Sequence, residues 1–213
     1  MVIHFVEMKM LEDLNLVSLD MDKAVWQHFY TVAPLVVIGT REGDGYDLAP
    51  KHMAMPLGRD NYFGFICTPA HATWHNVLHS GNFTVSFPRP NQVTLASLAA
   101  SPRCGEGNAQ KPIVESIPML TAPGMDAPFL KDSYLMLECT LNRIVEGFGE
   151  FGLIAGKITA AYVDPESMRV SELDDGDMIM DNPLLAYLPY GRFAEIKESF
   201  VFPLPLGFET GKK

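Results

Sequence analysis

The stretch "CTPAHATWHNVLHSGNFTVSFP", residues 67–88, decides how the rest of the chain is read. It runs strand end, loop, helix, strand. Thr73 is a good N-cap, and Trp74, Val77 and Leu78 then form an apolar stripe at i, i+3 and i+4. Gly81 is the natural C-terminal stop. Beyond it Phe83, Val85 and Phe87 alternate with Thr84 and Ser86, the pattern of a half-buried strand. His71, His75 and His79 recur every four residues, and a helix already begun at His71 would put all three imidazoles on one face. Pro69 and the Thr73 cap argue for His71 in the loop instead. No Cys or carboxylate stands at ligand spacing, and the pair reads HNVLH rather than HExxH, so no metal is expected and His75 and His79 read as surface residues. What remains is a loop-to-helix junction whose free backbone N–H groups and threonine hydroxyl suit a phosphate.

Upstream, "APLVVIGT" (33–40) is a β-branched apolar run followed by an Asp44-Gly45 turn signal and "LAPKHMAMPL". Residues 34–56 therefore read as a hairpin, with Pro50 at an edge or bulge because it cannot donate to a ladder. "NYFGFICT" (61–68) is a third strand. Downstream, 91–101 reads as a helix capped by Asn91. Residues 102–132 are rich in Pro and Gly, yet "IPML" and "APFL" want burial, which favours a lid or a dimer-contact loop over a linker. "SYLMLECTLNRIVEGF" and "FGLIAGKITAAYV" are two long strands joined at Gly149. "NPLLAYLPYG" reads as a short helix, "RFAEI" as a last strand, and the apolar, Pro-broken C-terminus as a segment draped over a neighbour. Six or seven strands, a few short helices and no βαβ alternation predict a mainly β protein, an antiparallel barrel with peripheral helices.

Composition narrows the function. The chain has 213 residues, 47% hydrophobic and 20% charged, with a formal net charge of −10, which disfavours a diffuse nucleic-acid-binding surface. Cys67, Cys104 and Cys139 form no CxxC, and three sparse cysteines suit a reduced, cytoplasmic protein. The first residues show no signal-peptide core, and no apolar run approaches the ~20 residues of a membrane helix. "GEGNAQ" (105–110) ends in Gln and follows no strand, so it is no Rossmann loop; a P-loop and a G-x-S-x-G serine are both absent. "SELDDGD" (171–177) reads as a solvated acidic loop. Glu138 reads as either a buried acid or, more commonly in an alternating strand, a solvent-facing one.

The order of pieces resembles the flavin reductase-like family of FMN-binding split β-barrels. That family has an N-L-A-P-x-S strand segment, then a K-[DS]-T-x-x-N-[IL] loop and helix. The counterparts here are Asp47-Leu48-Ala49-Pro50-Lys51-His52 and His71-Ala72-Thr73-Trp74-His75-Asn76-Val77. "LECTL" (137–141), "GLIAGKITAAYVDPE" (152–166) and "PYGRFAE" (189–195) look like its later strands. The resemblance covers residues 30–196, leaving 1–29 as an N-terminal extension and 197–213 as a tail. It implies an antiparallel split β-barrel with FMN at a homodimer interface. Lys51, His52, Met53 and Ala54 match the segment along the flavin ring and ribityl chain. Cys67 and Thr68 match the end of the next strand, and His71, Ala72 and Thr73 the phosphate loop. Asn76 fits the pattern but caps or packs as readily as it touches flavin. His52 and His71 depart from the family's Ser and Lys. A cationic His71 would make phosphate affinity weaken at alkaline pH.

The resemblance implies an oxidoreductase that takes a hydride from NADH or NADPH and passes electrons to free flavin, another small molecule or a redox partner protein. The cofactor would carry the chemistry, so no catalytic residue is nominated. Arg103 and Lys111 are candidates for a dinucleotide phosphate. Three alternatives stay open: a non-catalytic FMN protein that stores flavin or carries electrons; an oxidase or reductase of one small molecule, like the pyridoxamine-phosphate oxidase relatives of this barrel; and a barrel without flavin.

Overall fold

A computed structural model describes residues 14–169 and 175–207. Twelve strands and three α-helices follow one another as β1 (Ala33–Pro34), β2 (Val36–Glu42), β3 (Gly45–Lys51), β4 (Ala54–Pro56), β5 (Tyr62–Cys67), α1 (Ala72–Ser80) and β6 (Asn82–Phe87), then α2 (Val93–Leu98), β7 (Met119–Thr121), β8 (Pro128–Leu130), β9 (Leu135–Phe148), β10 (Phe151–Val163), α3 (Asp175–Asp181), β11 (Leu184–Leu188) and β12 (Arg192–Ile196). Seven strands form one antiparallel sheet in the order β3-β2-β6-β9-β10-β5-β4. It curls into the half-barrel of a split β-barrel, with short helices at its periphery. Two smaller sheets, β1-β11-β12 and β7-β8, pack beside it.

β2 shows why the apolar run "VVI" is unbroken. Val36 and Ile38 point into a core with Phe63, Phe65, Trp74, Phe83 and Ile154, while Val37 points the other way, onto Leu48, Ala96, Ile117 and Leu130. Successive side chains of a strand alternate faces, so a strand covered on both sides must be apolar at every position. Phe65 and Phe83 are fully buried and meet edge to face at 5.3 Å. Each contributes about 1.5–3 kcal/mol by burial.

The same two-sided covering corrects the reading of β6. Thr84 and Ser86 are fully buried rather than solvated, because the β7–β8 hairpin lies over them. The Thr84 hydroxyl donates to Pro128 O, and Ser86 Oγ accepts from the Leu130 N–H at 3.0 Å. Glu138, opposite Thr84 on β9, is 2% exposed and not solvent-facing; it accepts from the Gly124 N–H at 3.0 Å and the Tyr162 hydroxyl at 3.1 Å. Residues 102–132 thus hold a hairpin that roofs the back of the sheet.

Other expectations shift locally. Residues 184–188 form β11, not a helix, because pairing with both β1 and β12 outweighs the helix propensity of its leucines. The β2–β3 turn centres on Gly43-Asp44 rather than Asp44-Gly45, with Gly43 at φ +53°. α2 follows a 3₁₀ turn in which Asn91 is internal; the Gln92 side chain accepts the Arg89 N–H at 3.0 Å. Pro50 does sit on an edge strand. Of the acidic stretch 171–177, Asp175–Asp177 open α3 and the rest lies outside the described residues.

Candidate functional site

The loop from β5 to α1 is built by its own hydrogen bonds. Thr68 Oγ1 accepts the Ala70 N–H at 3.3 Å, and Thr68 O accepts the His71 N–H at 3.0 Å. The helix begins at Ala72 with His71, extended at φ −97° and ψ 139°, as its N-cap. Thr73 is therefore not the cap. It lies in the first turn with 2% of its surface exposed, because Trp74 must reach the core immediately after it. The Trp74 N–H returns to His71 O at 3.0 Å, which leaves the N–H groups of Ala72 and Thr73 without partners among the described residues. Unpaired amides at a helix start, with the partial positive charge of the helix dipole behind them, are a place for an anion.

A cavity of about 630 Å³ opens in front of these amides. His71, Ala72 and Thr73 form one wall, Lys51 and Pro50 of β3 the floor, and Arg103 and Lys111 the far side. Lys51 Nζ stands 3.4 Å from His71 Nδ1 and 3.6 Å from Cys67 Sγ, so the β3 lysine brings its ammonium to the loop. Arg103 and Lys111 are already engaged. Arg103 meets both Glu42 oxygens at 2.7 and 2.8 Å and Asp47 at 3.4 Å, while Lys111 meets Asp47 Oδ1 at 3.1 Å and Leu48 O at 2.7 Å. Arg103 and Lys111 are thus tied to Glu42 and Asp47, the Glu150 carboxylate acts on His71 from nearby, and Lys51 has no ion-pair partner among the described residues. Burial first, then the charges of Lys51 and Lys111, push the His71 pKa below its ordinary value, with Glu150 opposing them. These contributions favour the neutral imidazole.

A second cavity, of about 550 Å³, continues from the first; Pro50 and Ala100 line both. Its lining is mixed: His52, Tyr187 and Phe193 supply rings, Leu35 and Val93 aliphatic surface, and Thr94, Ser97 and Arg192 polar groups. The His52 ring lies 4.9 Å from Tyr187, tilted by 40°, and its Nε2 is buried with no hydrogen-bond partner among the described residues. Burial, with Lys51 adding to it, keeps this imidazole's pKa low as well. The two cavities adjoin at Pro50 and Ala100, the first carrying the cations and the helix-start amides and the second most of the aromatic rings.

The residues singled out from the sequence divide accordingly. Lys51, His52, His71, Ala72 and Thr73 line the groove. Cys67 and Thr68 stand behind it, one against the Lys51 ammonium and one shaping the loop. Met53 is 44% exposed, and Ala54 turns into the core. Asn76 donates to Thr40 Oγ1 at 3.0 Å and so pins α1 to β2. The sequence reading missed Asp47, whose signal was a carboxylate inside an apolar strand, and Tyr187, lost with the helix assignment of 182–191. His75 Nε2 donates to Pro69 O at 2.7 Å on the surface, and His79 is exposed. No cluster of metal-ligating side chains occurs among the described residues, and none of their helices is long and apolar enough to cross a membrane.

A sequence model described as a flavin reductase like domain matches residues 29–187. No curated protein sequence matches the chain. Among solved structures, the 2-nitrobenzoate 2-nitroreductase of Pseudomonas fluorescens superposes with a TM-score of 0.74 at 15% identity, covering 92% of this chain and 100% of its own. Flavoredoxin of Desulfovibrio vulgaris gives 0.70 at 18% identity, covering 90% and 100%. An FMN-binding protein of Thermus thermophilus, with p-hydroxybenzaldehyde bound, gives 0.67 at 19% identity over 88% and 97%. At such identities the likeness is one of fold.

Proposed function

The chain belongs to the flavin reductase-like family, and on that premise we propose that it binds FMN along β3 and works as an NAD(P)H-dependent oxidoreductase. One observation carries the reading: the cavity with the anion donors adjoins, at Pro50 and Ala100, a second cavity that holds most of the aromatic rings. The fit is chemical as well as spatial. The Ala72 and Thr73 amides and the Lys51 ammonium would hold the phosphate. Leu35, Pro50, His52 and Tyr187 would flank the ring, and the unpartnered His52 Nε2 leaves a hydrogen bond for a polar ring edge to make.

When bound, FMN would supply the hydride chemistry itself. The protein's part is to seat, orient and shield. The acceptor is free flavin or another small molecule. The exposed apolar tail, with Phe200 at 85%, Val201 at 95% and Phe202 at 74% exposure, supports a homodimer in which these side chains find cover. Three free cysteines suit a cytoplasmic setting.

The test is the visible spectrum of the purified protein, then FMN titration, then anaerobic NADH and NADPH. Yellow protein bleached by a nicotinamide is the expected result; a colourless protein that refuses FMN overturns it. A second reading on the same FMN site is a carrier of electrons without a reaction of its own. That protein would bind FMN, ignore both nicotinamides and be reduced by ferredoxin.

A further inference from the structure

Lys51 stands between a thiol and an imidazole. Its Nζ donates to Cys67 Sγ at 3.6 Å and lies 3.4 Å from His71 Nδ1. An ammonium can only donate, so Nδ1 is the acceptor in that contact. Cys67 closes β5 and is 2% exposed, which puts its sulfur behind the lysine, while Lys51 itself lines the 630 Å³ cavity. Among the described residues Cys67 is the one cysteine that receives a lysine hydrogen bond; Cys104 is exposed, and Cys139 is buried next to Glu138. An amine, a sulfur and a base within hydrogen-bond reach of one another are the parts of a covalent link.

We infer that Lys51 and Cys67 are a redox modification site, at which hydrogen peroxide joins Nζ to Sγ as a sulfenamide that thiols reopen. The Cys67 sulfur attacks one peroxide oxygen and the O–O bond breaks, giving a sulfenic acid and water. Sulfur loses two electrons and peroxide gains them. Lys51 then passes a proton to His71 Nδ1, whose neutral form burial favours. The freed amine attacks the sulfenic sulfur. The S–N bond forms, the S–O bond breaks, and the hydroxyl leaves as water with a second amine proton. Overall, thiol, ammonium and peroxide give sulfenamide, two waters and one proton. The flexible four-carbon stem of lysine covers the roughly 2 Å of approach. Peroxide is little larger than water, so the step needs no opening that a bulky thiol reagent would need. Two thiols reverse the link, restoring both side chains and leaving a disulfide between themselves. Its consequence rests on the FMN reading above: a sulfenamide nitrogen is uncharged at neutral pH, so the link takes the Lys51 cation away from the phosphate. Dioxygen meeting a reduced flavin yields peroxide, which makes the link a shut-off for a flavoprotein turning over in air.

The test treats the full chain carrying Cys104→Ala, which removes the exposed thiol, with hydrogen peroxide in slight excess. Peptide mapping by mass spectrometry should find Lys51 and Cys67 in one linked species short of two hydrogens, and dithiothreitol should abolish it. FMN affinity, read by fluorescence quenching, should fall about tenfold on oxidation and return with dithiothreitol. Lys51→Arg keeps a cation but has no amine to bond sulfur, so Cys67 should take up oxygen and stay unlinked. With Cys67→Ala, FMN affinity should be indifferent to peroxide. Cys67 that remains a free thiol, or that takes up oxygen while Lys51 stays unmodified, overturns the inference. A reversible link that leaves FMN affinity unchanged upholds the modification site and refutes the placement of the phosphate on Lys51. Refusal of FMN before any oxidation refutes the reading beneath, and the linked peptide still decides this inference.

Discussion

Replacing Lys51 with Met would remove the one ammonium that faces the α1 amides and keep most of the apolar stem. In the structure Nζ lies 3.4 Å from His71 Nδ1 and 3.6 Å from Cys67 Sγ, with no carboxylate to neutralise it. A hydrogen bond to a charged group contributes about 1.5–3 kcal/mol, so FMN should bind some 10- to 150-fold more weakly. The groove is open to solvent and salt screens it, so the lower half of that range is expected at physiological ionic strength. Riboflavin, which lacks the phosphate, should bind parent and variant alike. pH adds a second signature. Lys51 is one cause of the low His71 pKa, so its removal lets His71 titrate closer to its ordinary value. His71 then takes over part of the positive charge in mild acid, and the FMN deficit should shrink on going from about pH 8 to about pH 6. Fluorescence-quenching titrations of FMN and riboflavin at both pH values read all of this. Unchanged FMN affinity at pH 8, or an equal loss for riboflavin, would refute the placement of the phosphate.

The ligand-free protein should lose stability in mild acid. His52 and His71 both have lowered pKa values in the fold, so below about 6.5 the unfolded chain takes up protons that the folded one resists; stability is flat above that value and falls as pH drops toward the folded pKa values. Urea midpoints at about pH 5 and pH 7.5 that coincide would contradict this. Asp47→Asn should tighten FMN several-fold at low salt by freeing Lys111 and Arg103, yet cost about 3 kcal/mol of stability by stranding a buried ammonium; a chemical-denaturation curve and an FMN titration on the same variant show both signs. A thiol reagent at pH 8 should find one fast cysteine, the exposed Cys104. Burial first, and Glu138 second, push the Cys139 thiol up to about 12, and Cys67 is buried, so a second rapid equivalent would be unexpected.

Much of this architecture follows from local chemistry. The Val36–Ile38 run, the Gly81 stop at φ +69° and the Gly149 hairpin each specify their element within a few residues. The misreadings share one cause. Thr84, Ser86 and Glu138 look like the wet face of a sheet until a hairpin covers them, 44 residues along the chain from Thr84 and Ser86 and 14 from Glu138, and no local pattern announces that cover. Leu184–Leu188 likewise looks helical until two partner strands claim it. In the groove, the loop around His71–Thr73 was legible because backbone amides at a helix start need no distant partner. The roles of its side chains were not. Lys51 stands beside the helix-start amides, its ammonium against Cys67 and His71, and Thr73 lost its capping role because Trp74 is drawn inward.

Both outer strands of the seven-stranded sheet contain a proline, Pro50 in β3 and Pro56 in β4. In β4 the Leu57 N–H bonds to Tyr62 O and Met53 O accepts from Ile66, so residues of odd number face β5 and Pro56 turns its nitrogen to the open side. A stray strand arriving there meets a ring where it needs a donor, and it cannot be zipped on. An open sheet is a template for fibrils. Here each rim is blunted by one residue, which lets the half-barrel stay open for its ligand without inviting copies of itself to stack along the same border.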